Sequence, residues 1–160
     1  MSGPKDQMQP ARQQLAALSE QLQRLHALAL QAERDIVATP GGVALLDKLM
    51  NDPQWAWLRP LSQLIADIDH VGAHPEAPGR AEQAIAAARA RGLVFGEGEH
   101  LQPQFLQRYR PLLQTDPALA SVHGELRRQL RDFPVEPENE SERLHARHLW
   151  SMRFNHRGRP

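Results

Sequence analysis

Asp67, Asp69, His70 and His74 come closest to a metal-ligating set in this chain. Carboxylate and imidazole at i and i+3 project from one helix face, which is how helical di-metal centres gather their ligands. Asp67 and His70 have that spacing, and Glu142 and His145 repeat it. A di-iron carboxylate bundle needs two Glu-x-x-His pairs and two further inward carboxylates. Here Asp67 stands in for one glutamate, the second pair lies near the C-terminus, and Gly72 and Pro75 interrupt the turn that would join His70 to His74. A polar helix C-terminus, with histidines near the negative end of the dipole, accounts for the same residues. No bound metal and no cofactor are expected. A helical metalloprotein centred on Asp67, Asp69, His70 and His74 is the alternative reading.

A different chemistry is offered by Arg143, Arg147, Arg153, Arg157 and Arg159, which interleave with Trp150 and Phe154. Guanidinium groups bind phosphates or carboxylates, and aromatic rings stack on bases or anchor in apolar pockets. All 19 acids lie in residues 1–142 against 14 basic residues, a net −5, whereas residues 143–160 hold five Arg and no acid. The overall neutrality therefore hides two opposed regions. An arm of this kind is expected to dock on its own acidic core or on a protein partner in preference to nucleic acid. Binding of DNA or RNA by the arm is the second alternative.

Two further constellations are weaker. Ser121, His123 and Glu125 suggest a hydrolytic cluster, but residues two apart on a helix diverge by about 160°, so Ser121 and His123 cannot pair. Trp55 and Trp57 diverge in the same way. If Trp57 follows Leu61, Leu64, Ile65 and Ile68 into the core, Trp55 needs another cover: either a short helix around Leu45 to Leu49, or a partner for which Trp55 is the interface anchor. Gly96-x-Gly98 lacks the third glycine of a dinucleotide loop, and Gly41-Gly42 lacks the Lys-Ser/Thr of a phosphate loop. Cysteine is absent, which excludes disulfides, thiolate metal sites and cysteine nucleophiles. These absences point away from an enzyme.

Helices must position all of these residues. Leu and Ala supply 22 and 21 residues, whereas Val, Ile and Thr together supply 12, a balance that favours helix over sheet. Leu15, Leu18, Leu22, Leu25, Ala29, Ala32 and Ile36 alternate steps of three and four, laying one stripe along a first helix. Asp52-Pro53 and Asp116-Pro117 each place a capping acid before a proline at the first helical position. Pro60 implies either a kink or a short turn followed by a new helix. Arg80 to Arg91 reads as an Ala-rich helix ended by Gly92. Its only large apolar residue is Ile85, which predicts a peripheral position. Pro103 to Gln114 and Asp116 to Arg131 read as two more helices. Asn139 with Glu142 resembles a capping box opening a last helix, with Leu144, His148, Leu149 and Met152 on one face.

The expected architecture is all-α, a compact bundle of five or six helices with a C-terminal basic arm. Residues 1–9 read as a flexible N-terminus, 10–131 as the bundle domain, 132–142 as an acidic proline-containing linker and 143–160 as the arm. The N-terminal stretch MSGPKDQMQP has no apolar segment of the secretory type, and no run of 18 apolar residues occurs anywhere, so a cytoplasmic protein without a membrane span is expected. The favoured function is a non-catalytic protein-interaction or regulatory domain using a helix face and the C-terminal arm, with a protein partner or self-association.

Overall fold

The computed structural model describes residues 4–36 and 53–154, with side chains from Pro10 to Arg34 and from Ala56 to Phe154. Among the described residues there are six α-helices and no strand: α1 (Pro4–Ile36), α2 (Arg59–Ala73), α3 (Arg80–Ala90), α4 (Pro103–Thr115), α5 (Pro117–Leu130) and α6 (Glu140–Met152). A 3-10 turn, Pro53–Leu58, precedes α2, and a π turn, Arg91–Phe95, extends α3. The fold is an all-α bundle.

The long α1 is the axis of the bundle and packs against α2, α3, α4 and α5. Its stripe faces the core: Leu15, Leu18, Leu22, Leu25 and Ala29 are fully buried and Ala32 nearly so. Leu61, Leu64, Ile68 and Val71 of α2 and Leu119, Val122, Leu126 and Leu130 of α5 close on it. Asp116 caps α5 by accepting from the amides of Ala118 at 3.0 Å and Leu119 at 3.2 Å. These contacts satisfy donors that the first helical turn cannot pair internally. Pro60 sits in the first turn of α2, where its missing N–H costs nothing, so the chain makes a short turn and a new helix there. The proposed helix around Leu45 to Leu49 lies outside the described residues.

Two expectations for α3 are corrected. Gly92 does not end the helix: the chain continues through the π turn and stops at Gly96, whose φ of 69° is the left-handed conformation that glycine favours. Nor is α3 peripheral. Ala84, Ile85, Ala86, Ala87 and Ala90 are all buried, and the helix touches α1, α2 and α6. Alanine supplies little apolar area of its own, but its short side chain lets three neighbours approach one helix closely.

No described helix is long and apolar enough to cross a membrane.

Candidate functional site

The described part of the arm, through Phe154, lies on or directly after a helix, α6, seated on the bundle. Asn139 caps α6 by accepting from the Glu142 amide at 3.1 Å. Ala146 and Trp150, one turn apart, join the core cluster, and Trp150 is 2% exposed. The Arg89 guanidinium lies over the Trp150 ring, 5.6 Å from its centroid, and Phe154 packs 5.8 Å from Trp150.

Arg153 carries the strongest polar contacts of this helix end. Its Nε and Nη2 donate to Glu82 Oε1 at 3.1 and 2.7 Å. Nη1 donates to the Glu76 carbonyl at 2.7 Å and Nη2 to the Ala77 carbonyl at 3.3 Å. Both Arg153 and Glu82 are buried, at 9% and 7% exposure. The other carboxylate oxygen of Glu82 accepts from the Gly79 amide at 2.9 Å, so one acid caps α3 and holds α6. Burial alone would raise the Glu82 pKa, but the Gly79 amide, its own amide and Arg153 outweigh it and hold the carboxyl below its ordinary range.

Arg147 makes a second set of contacts. Its Nε and Nη2 donate to the two Glu136 oxygens at 3.0 Å each, a fork-on-fork pair, and Nη2 also reaches Glu99 at 3.0 Å. Hydrogen bonding to Glu136 raises the Arg147 pKa further against the opposing effect of burial. The Arg147 hydrogen bond, reinforced by the charges of Arg143 and Arg147, holds Glu99 below its ordinary value. Arg143 donates to the Glu138 carbonyl at 3.2 Å. Five of the seven arm residues, Arg143, Arg147, Trp150, Arg153 and Phe154, are thus brought to one side of α6 and engaged within the chain. Arg157 and Arg159 lie outside the described residues. Trp55 falls in the 3-10 turn, and its side chain is likewise outside them.

Asp67, Asp69, His70 and His74 are not brought together around a common point. Asp67 accepts from Gln63 Nε2 at 2.8 Å, and Asp69 accepts from the Ser19 hydroxyl of α1. His70 Nε2 lies 2.6 Å from the Arg153 carbonyl, which can only accept, so this nitrogen carries the proton. The His70 ring stacks on Phe154 at 4.9 Å. His74 Nδ1 accepts from the Glu76 amide at 3.1 Å. Among the described residues no group of three His, Asp or Glu is placed to hold a metal ion. His123 likewise turns inward: its Nδ1 lies 2.8 Å from the hydroxyl of fully buried Tyr109, away from Ser121. Glu125 accepts from Gln21 of α1 at 2.9 Å.

The side of α6 facing away from the bundle carries three exposed apolar side chains among polar ones. Leu144, Leu149 and Met152 are 54%, 39% and 49% exposed, with His145 and His148 exposed between them. Leu149 and Met152 also line a groove of about 340 Å³ shared with His74 and Glu76. Sequence reasoning grouped Leu144, His148, Leu149 and Met152 on one face without fixing where it points. It missed Glu82, Glu99 and Glu136, the acids that turn the arginine side inward. The spacing of Gly79 and Glu82, a helix start followed by an acid at the third position, was the available signal for the first of them. No protein-family model, curated protein or solved structure matches this chain.

Proposed function

We propose that the chain is a non-catalytic interaction domain whose working surface is the outward face of α6, carrying Leu144, His145, His148, Leu149 and Met152. The observation that supports this reading is the presence of three large exposed apolar side chains within three turns on the outer surface of α6. Singly scattered apolar residues need no explanation, whereas clustered ones mark places where proteins meet. The neighbouring groove lined by Leu149, Met152 and His74 gives the patch depth. A partner of matching chemistry is an amphipathic helix laying apolar anchors along α6, supplied by another protein or by a second copy. Arg143, Arg147 and Arg153 then act as the internal fastening that presents the face. With those groups engaged on carboxylates and carbonyls, direct nucleic-acid binding has less support.

The test places a photoreactive residue at position 148 of the full chain in its source cell. A discrete crosslinked protein, lost when Leu144, Leu149 and Met152 are all replaced by Ser while the melting temperature is kept, is the expected result. Crosslinking that is diffuse, or unchanged in the triple variant, would sink the reading.

A further inference from the structure

A second site lies where the end of α5 meets the π turn. A recess of about 180 Å³ there is lined by Arg91 and Phe95 of the π turn, Glu97 of the loop after it, Arg127 and Leu130 of α5, and Arg131, which follows α5. Three arginines against one glutamate leave the recess with a net charge of +2. The negative end of the α5 dipole accounts for cations in its last turn. It does not account for Arg91, which a different element delivers to the same place.

Two of the guanidinium groups are held in position by the protein itself. Arg91 Nη2 donates to the Leu130 carbonyl at 2.6 Å, which ties the π turn to α5. Arg127 lies over the Phe95 ring, 4.2 Å from its centroid, and its Nη1 donates to Glu97 Oε1 at 2.9 Å. A guanidinium carries five N–H donors, so both arginines have donors to spare after these bonds. Arg131 stands one helical turn beyond Arg127. Among the described residues, no carboxylate lies within ion-pair distance of Arg131. The other acids of this region are turned elsewhere: Glu125 meets Gln21 and Arg24 of α1, and Asp132 lines a different recess with Arg80. Donors of one sign converging on a recess favour an anion with several acceptor oxygens.

We propose that this recess binds a phosphomonoester group, whose oxygens accept from Arg91, Arg127 and Arg131. The recess charge of +2 matches the charge of about −1.5 to −2 that a monoester carries at pH 7, whereas a diester carries only one. Sites for whole small molecules usually span about 300–1,000 Å³, so here the phosphate enters and the body attached to it stays outside. A small organic phosphate and a phosphorylated side chain share this chemistry. The proposal does not rest on the α6 surface.

The experiment is an NMR titration of the full chain, following backbone amides and arginine Nε groups, at constant ionic strength. Glycerol 3-phosphate and a blocked phosphoserine tripeptide are the two monoesters, and dimethyl phosphate, a diester with one charge, is run beside them. Saturable shifts confined to residues 91–97 and 127–131 are expected for at least one monoester, and the tighter of the two identifies the source. Dimethyl phosphate should bind about tenfold more weakly or worse, the size of one charged hydrogen bond. Arg131→Gln, at an exposed position, should weaken the monoester by a similar factor with the fold intact. Glu97→Gln removes the one acid of the recess and should tighten binding severalfold, the opposite of what damage to the fold would do. The proposal is overturned if neither monoester gives saturable shifts up to about 10 mM. It is equally overturned if dimethyl phosphate binds as tightly as the monoesters, if a folded Arg131→Gln protein keeps full affinity, or if Glu97→Gln fails to tighten binding.

Discussion

The first and last helices are held to the bundle by different chemistry. α1 turns its leucine stripe to the core, with Ser19 and Glu33 buried beside it. α6 buries Arg153 beside Trp150 and leaves Leu144, Leu149 and Met152 outside. The difference teaches that periodicity identifies the faces of a helix but not which of them is inward. For α1 the long apolar stripe settles orientation because it outweighs the few polar contacts the helix makes. For α6 two acids on the bundle side, Glu82 and Glu136, offer partners to Arg153 and Arg147 that water cannot match in geometry. A helix fastened by charge should fail differently from one fastened by leucine.

The sharpest way to break the comparison is Arg153→Ala. It leaves the Glu82 carboxylate buried without its cation, which should cost about 3–5 kcal/mol. The loss should be local: hydrogen exchange is expected to rise through 140–152 while α1 stays protected. If α1 and α6 lose protection together, the two helices are not separately fastened. Leu22→Ala, at a fully buried stripe position, should cost about 2–5 kcal/mol and weaken the whole bundle, measured by urea denaturation. A loss below about 0.5 kcal/mol would place that position on the surface.

Pro60 left a kink and a new helix both open, whereas the α1 stripe and the cap at Asp116 were legible because each signal is complete within one or two turns of chain. The centrality of α3 was not, since alanines attract neighbours only when those neighbours exist. The inward side of α6 was hidden for a related reason. Its arginines were plain, but the acids that receive them lie elsewhere in the chain, 71 residues away for Glu82 and 48 for Glu99. The same distance effect dissolves the Asp67 to His74 set. Ser19 and the Arg153 carbonyl, which engage Asp69 and His70, are 50 and 83 residues removed from them.

The gentlest way to sharpen the comparison is acid. Burial lowers the pKa of His100, whose ring lies 3.8 Å from the Glu136 carboxylate that Arg147 grips. A histidine lowered in the folded state supports folding above its ordinary value of about 6.5 and loses that support as pH falls through the lowered value. Glu82, also lowered, supports folding above the ordinary carboxylate value of about 4.3 and loses it below. Protection of α6 should therefore decline in two stages, beginning below about pH 6.5 and again below about pH 4. His26 and His123 are also lowered by burial, so the α1–α2 and α4–α5 contacts should soften in the first stage only. A flat profile from pH 7 to about pH 3 for α6 would contradict both assignments.

The latch between Glu82 and Arg153 also has a meaning for the birth of the molecule. The acid is made 71 residues before the arginine that neutralises it. As the chain leaves the ribosome N-terminus first, α1 and α2 can meet early, while α3 carries an acid without its arginine until 71 further residues have been made. A nascent or clipped chain that stops short of residue 150 thus bears its own mark of incompleteness, an acid without its arginine and an unfilled Trp150 seat.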